Sequence, residues 1–208
     1  MKISAQVVLI NPEGLILCVS RKDNHKDMGL IGGKMEDIDK TPEDTAIREC
    51  KEETGLDISN LRLIFARHKD GFMGYTYLAD YSGDINHNEP HLVKWLPFHY
   101  LLNGSFGKYN RLVKDSLTDL GVKFRDGVDM DLLRADVTDF INEFYGENLK
   151  LGSINLTDRN NISGVVSFED DEDMEESFDA PDRFINGLRA IGLEHGIYLS
   201  INSNYWSK

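Results

Sequence analysis

The sequence predicts an α/β protein: a mixed α/β/α sandwich over residues 1–120, followed by a smaller α+β domain over residues 121–208. Three observations lead there. Apolar residues alternate with period two over residues 3–10, 15–19, 61–67 and 72–81, which reads as strands half buried in a sheet. Between the second and third of these lies one segment, Thr41 to Gly55, with a full set of helix start and stop signals. After Gly121 the pattern begins again as helix, two strands, helix and strand, and the charge changes with it. Residues 1–120 hold 15 Lys+Arg against 18 Asp+Glu, a net −3, whereas residues 121–208 hold 8 against 18, a net −10 of the total −13.

Taken in order, the first two strands flank Asn11-Pro12-Glu13-Gly14, a turn signal. Residues 21–29 form a polar loop leading to Leu30-Ile31-Gly32-Gly33. Thr41 is a helix N-cap, Pro42 suits the first helical position, and Asp44 completes a Thr-x-x-Asp capping box. Gly55 is a natural stop, and Ala46, Ile47 and Cys50 form a short apolar stripe. His68-Lys69-Asp70-Gly71 is a hairpin turn between two strands. Residues 84–91 read as a polar loop, 92–96 as a short strand ending at Pro97, and 109–120 as a helix with Leu112, Val113, Leu117 and Leu120 on one side.

In the second domain, Met130, Leu133, Val137, Phe140, Ile141 and Phe144 mark an amphipathic helix ending at Gly146. Residues 149–156 and 162–168 are strands around Asp158-Arg159-Asn160-Asn161, residues 169–176 an acidic loop, and residues 179–182 a helix start. Ile197, Leu199 and Ile201 alternate as a last strand. With a further strand at 122–125 the order becomes βαββαβ, the signature of a ferredoxin-like sheet.

Composition excludes several classes. No apolar run approaches the roughly 18–20 residues that span a bilayer, so no membrane association is expected. The alternating start reads as a strand and not a signal peptide. Cys18 and Cys50 sit in apolar segments, which fits buried thiols in a reducing, cytoplasmic setting. The negative charge repels a phosphate backbone and argues against a nucleic-acid polymer as partner. A small anionic substrate remains compatible where bound metal inverts the local sign.

The chemistry concentrates in Arg48-Glu49-Cys50-Lys51-Glu52-Glu53-Thr54-Gly55. On a helix, Glu49, Glu52 and Glu53 at i, i+3 and i+4 share one face, and three like charges so close call for an offset. Mg²⁺ or Mn²⁺ would supply it, since hard cations prefer carboxylate oxygens. A solvated acidic face with an Arg48–Glu52 pair is the plain alternative. The Gly-rich turn at a fixed distance ahead of the helix weighs against it.

Together these residues resemble the Nudix box, whose pattern is Gly, five residues, Glu, seven residues, Arg-Glu, an aliphatic residue, any residue, Glu-Glu, any residue, Gly and an aliphatic residue. Gly33 matches its first position, and Arg48, Glu49, Cys50, Glu52, Glu53, Gly55 and Leu56 match its end. One place departs. The sixth residue after Gly33 is Asp39, with eight residues between it and Arg48, so the loop carries one extra residue and Asp39 or Lys40 takes the Glu slot. In the family that Glu braces the loop against the Arg.

The resemblance implies a Nudix-type α/β/α sandwich and a pyrophosphohydrolase that uses Mg²⁺ or Mn²⁺. It implies Glu49, Glu52, Glu53 and the carbonyl near Gly33 as metal ligands, with Glu49 or Glu53 as base and Arg48 orienting it. Family members often add a carboxylate from a later loop, and Glu89 is the candidate here. Arg21 and Lys22 are candidates to meet substrate phosphates. Phe72, Tyr75 and Tyr77 are candidates to stack on a base, although strand aromatics also serve as core. Glu36 reads as supporting or structural. His87 and His91, the only His pair with ligand-like spacing, read as solvated.

The expected substrate is a small-molecule nucleotide: a nucleoside triphosphate first, ADP-ribose or a dinucleoside polyphosphate next. No Pro lies between Gly55 and Pro90 and no Ser-Gln-Pro-Trp run is present, so two substrate signatures of the family are missing. A nucleotide-binding regulatory module without turnover is the alternative. A docking role for the acidic domain, or a homodimer, would rest on fold analogy alone.

Overall fold

The computed structural model describes residues 2–146, 149–157, 163–169 and 182–201. The chain divides into two compact units, Met1–Asp126 and Gly127–Lys208.

The first unit contains β1 (Lys2–Val8), β2 (Ile16–Ser20), β3 (Met28–Lys34), α1 (Pro42–Thr54), β4 (Asp57–Lys69), β5 (Phe72–Ser82), β6 (Val93–Leu96), a 3-10 turn at Phe98–Leu102 and α2 (Gly107–Asp119). Its six strands form one sheet in the order β4-β5-β1-β3-β2-β6. Only β1 and β5 run parallel; the other pairs are antiparallel.

Strand alternation then sorts side chains between two faces. On one, Ala5, Val7, Leu9, Ile31, Tyr77 and Ala79 close a core with Ala46 and Cys50 of α1 and with Leu56. On the other, the Thr76 and Tyr109 hydroxyls bond at 2.8 Å, and the Phe65 ring meets Tyr109 edge-on at 5.3 Å. The two helices therefore cover opposite faces, as expected for the sandwich. The β4–β5 hairpin turns on two residues, Asp70 (φ 51) and Gly71 (φ 78), the geometry that matches strand twist, so both strands run longer than the four-residue turn predicted.

Residues 122–125 are not a strand. The Arg125 amide donates to the Gly14 carbonyl (2.6 Å), the Phe98 amide donates to the Arg125 carbonyl (2.9 Å), and the Phe124 ring packs on Phe98. These bonds hold the segment in the first compact unit, which reaches Asp126 where the sequence suggested 120.

The second unit contains α3 (Met130–Tyr145), β7 (Leu151–Leu156), β8 (Ser163–Phe168), α4 (Asp182–Glu194) and β9 (Tyr198–Ile201). Asp129 caps α3 through the Leu132 amide (3.1 Å), and Gly146 ends it. Its sheet has the order β7-β8-β9, with β8 and β9 parallel. The unit is α+β, but the ferredoxin-like expectation is corrected: that arrangement needs a first strand between the two that here pair directly. Leu133, Val137, Ile141, Phe184 and Leu188 pack with Ile154, Val166 and Leu199 into a core of its own. The loop at 158–161, most of the acidic run 169–176 and the helix start at 179–181 lie outside the described residues.

Candidate active site

Helix α1 is fixed at both ends. The Thr41 hydroxyl accepts from the Asp44 amide (3.1 Å), and the Asp44 carboxylate accepts from the Thr41 amide (2.9 Å). At the other end Gly55, at φ 79, donates its amide to the Lys51 carbonyl (2.9 Å). A Cβ on Gly55 would stand 2.1 Å from the Asn86 carbonyl oxygen, so the close passage of that loop also requires glycine.

Two glycines of β3 make room for two carboxylates of α1. The Gly32 amide donates to Glu53 Oε2 at 2.9 Å. Glu49 lies against Gly33 so closely that a Cβ there would sit 2.3 Å from its Oε1. A larger residue at Gly33 would displace Glu49, and one at Gly32 would strike the Ala5 carbonyl oxygen at 2.3 Å instead.

Arg48 organises the rest. Its Nε and Nη2 donate to the two oxygens of Asp39 (3.1 and 3.0 Å), and Nη2 also donates to the Lys34 carbonyl (3.0 Å). Its Nη1 donates to Glu52 Oε2 (2.9 Å) and pairs with Glu49 Oε1 (3.0 Å). Asp39 is buried and also accepts from the Thr45 hydroxyl and the Glu36 amide, both at 3.0 Å. Between Asp39 and Lys40, it is Asp39 that braces the loop against Arg48; the Lys40 amide serves the Asp44 cap instead. One extra backbone residue brings a shorter carboxylate to the arginine. The Arg48 hydrogen bonds hold Asp39 well below the usual carboxylate range, at about 2.

Glu53 is pushed up to about 7, chiefly by burial, with the Gly32 amide pulling it down and the Glu49 charge pushing it up again. Burial also raises Glu49, against the pull of Arg48 and with added repulsion from Glu52 and Glu36. Glu49 is 15% exposed and Glu52 54%. Glu49 and Glu53 are thus drawn together at the Gly-Gly turn, while Glu52 turns outward to Arg48. Glu89 pairs with Lys22, which keeps it below its normal range, and it lies close enough to raise Glu53. Among the described residues, no three His, Cys, Asp or Glu side chains form a ready-made metal cage.

Gly32, Gly33, Glu53, Arg21, Phe106 and Asn110 face a cavity of about 390 Å³. The Arg21 guanidinium lies over the Phe106 ring, 5.7 Å from its centre. Tyr75 and Tyr77 are elsewhere, which corrects their proposed stacking role. They fall on the α1 face of β5, where Tyr77 is 2% exposed within the core and Tyr75 packs against it. Phe72 is on the cavity face.

His91 is a second correction. It is buried, its Nε2 is 2.7 Å from the Glu53 carbonyl, and its ring stacks on His87 at 4.7 Å. It ties the last turn of α1 to the loop before β6. Its spacing from His87 was visible in the sequence, but nothing there revealed the carbonyl it meets.

A family model described as the NUDIX domain matches residues 1–115. The chain belongs to the Nudix family. No curated protein matches the chain. Among solved structures, the Nudix unit is similar to MutT from Aliivibrio salmonicida and Vibrio cholerae, with 20% identity over 57% of this chain and 98% of that one and a TM-score of 0.49. It is also similar to a MutT Nudix hydrolase from Burkholderia pseudomallei (23% identity, 47% and 83% covered, TM-score 0.41). An ADP-ribose pyrophosphatase from Streptococcus suis is a third (20%, 47% and 74%, TM-score 0.40). The Nudix box of this chain keeps its Arg–acid brace despite the longer loop.

Proposed function

We propose that this chain is a divalent-metal-dependent pyrophosphohydrolase of small-molecule nucleoside diphosphate derivatives. A nucleoside triphosphate is the first candidate substrate, followed by ADP-ribose and dinucleoside polyphosphates. The observation that carries the reading is the meeting of Glu49 and Glu53 at Gly32–Gly33, where Glu53 and the two glycines line a cavity that also presents Arg21. Two half-buried carboxylates, both raised by burial and Glu53 raised further by the Glu49 charge, form an oxygen-only donor set with charge to be neutralised. That suits Mg²⁺ or Mn²⁺. Mg²⁺ is commonly held by one or two carboxylates, with substrate phosphates and waters completing its shell, so a closed protein cage is not required.

Glu49 and Glu53, with Glu52, the carbonyl near Gly33 and Glu89, are the proposed ligands. Bound there, the cation would neutralise diphosphate oxygens and acidify a water. Either Glu49 or Glu53 takes the proton of the attacking water as its oxygen bonds to phosphorus and the bridging P–O bond breaks, releasing the second phosphate as leaving group. Arg48 fixes the Glu49 carboxylate and Gly32 fixes that of Glu53. Arg21 and Lys22 are proposed to meet substrate phosphates. The first compact unit, Met1–Asp126, is proposed as the hydrolase domain and the second, Gly127–Lys208, as an acidic accessory domain; the protein is proposed to act in the cytoplasm.

Turnover is favoured over mere binding, since the inserted loop residue, the one feature pointing the other way, is absorbed by the Asp39 brace. The test is a panel of nucleoside diphosphate derivatives with Mg²⁺. Glu53→Gln is expected to lower kcat by about 10²-fold or more. Absence of any diphosphate hydrolysis by wild type, or full activity in Glu53→Gln, defeats the reading.

A further inference from the structure

The cavity at Gly32–Gly33 continues into a second, larger one of about 780 Å³, and the two share Ser4, Gln6, Phe72 and Phe106 on their walls. The second lobe lies over the α2 face of the sheet. Strand pairing sets Arg67 beside Gly74 and Lys69 beside Phe72, so both cations stand on the same face as Ser4 and Gln6. Lys108 and Arg111 of α2 complete the lining from above. Among the described residues Asp70 is the single carboxylate facing this lobe, and it lies 3.9 Å from the Lys69 ammonium. Four cations against one anion is unusual in a chain of net charge −13. Cavities of this kind focus field and concentrate anions.

The shape of the lobe fits the same role. Gly74 leaves the floor open beneath Tyr109, whose hydroxyl would be 3.4 Å from a Cβ there. Phe72 and Phe106 stand where the lobes meet, 38% and 48% exposed, with the Lys2 ammonium over the Phe72 ring and the Arg21 guanidinium over the Phe106 ring. Together the lobes exceed what a scissile diphosphate occupies, and the cations lie beyond the aromatics from Glu53.

We infer that the second lobe is a subsite for a further phosphate group, so that the substrate is a nucleoside diphosphate derivative carrying a phosphate beyond the bond that is cut. This rests on the pyrophosphohydrolase reading for its biological sense, but not for its test. The extra phosphate has two chemical sources, a monoester on the sugar or a longer polyphosphate chain. Arg67 and Arg111 supply forked donors suited to phosphate oxygens, and Lys69 and Lys108 supply point charge.

The experiment is calorimetry on the full chain with AMP, adenosine 3′,5′-bisphosphate and adenosine 5′-tetraphosphate, on wild type and on Arg67→Gln/Lys69→Gln. Both positions are exposed strand residues, and a thermal melt checks that the double variant is folded. Wild type is expected to bind at least one of the two richer nucleotides about ten-fold or more tighter than AMP, a difference of about 1.4 kcal/mol. The double variant is expected to lose most of that gain, and so is wild type as salt rises. A gain for the bisphosphate assigns a sugar phosphate, and a gain for the tetraphosphate alone assigns a chain. Equal affinity for all three, or a gain that the double variant keeps, overturns the inference. Failure of hydrolysis in the separate substrate panel would instead strike the catalytic reading.

Discussion

Arg48 touches Asp39, Glu49, Glu52 and the Lys34 carbonyl, so the loop, the helix and the end of β3 are held by one side chain. Removing its buried partner costs the guanidinium two hydrogen bonds and leaves Glu49 and Glu52 as its counter-charges. Asp39→Ala is therefore expected to cost about 1.5–3 kcal/mol in denaturant unfolding at neutral pH. The sign with pH follows from the shift. Asp39 is held at about 2 when folded against 3.8 for a free carboxyl, so its contribution is complete above 3.8 and is lost as pH falls toward 2. Asp39→Asn should match wild type at the acid end and fall behind as pH rises. Glu53 behaves in the opposite way. Its folded value of about 7 lies above the usual 4.5, so without metal it weakens the fold progressively as pH rises from 4.5 to 7. In chelator, Glu53→Gln should raise Tm above pH 7, by several degrees, and the gain should disappear near pH 4.5. A Tm difference that does not change with pH would contradict this account.

At the scale of elements, α1 is set by its caps and by the glycines beneath it. Thr41→Ala should destabilise by about 1 kcal/mol, the usual cost of losing such a cap, with little change in metal requirement. Gly33→Ala should do the reverse, lowering kcat/KM by far more than its change in Tm explains, because the new methyl would displace Glu49. These features were legible in the sequence, since caps, turn glycines and carboxylate spacing are local. So were most strands and helices. What escaped it was long-range. Alternation separates the two faces of β5 but does not say which helix covers which, so the sequence leaves Tyr75 and Tyr77 open to stacking on a base or to the core, and they lie under α1. Residues 122–125 alternate like a strand, yet their backbone bonds go to Gly14 and Phe98. The basic lobe was equally hidden, because Arg67, Lys69 and Arg111 meet only once β4 and α2 have packed.

At the scale of the molecule, two cores close on their own residues, one under α1 and one around Phe184. Calorimetric unfolding should resolve two transitions. Phe184→Ala, at a fully buried ring stacked on Phe140 at 5.3 Å, should weaken the second unit by about 3–5 kcal/mol and leave the Nudix transition in place. A single transition that moves as a whole would contradict this. The sheet order has a consequence for synthesis. β1 lies in the middle of the sheet, flanked by β3 and β5, and it runs parallel to β5 over seven residue pairs from Lys2–Phe72 to Val8–Leu78. The ribosome must therefore release β1 long before its parallel neighbour exists, leaving Ala5 and Val7 without their full cover while some seventy residues are added. The β1–β5 seam of this sheet can close only late in the life of the nascent chain, and the interval before it is when a chaperone would be needed.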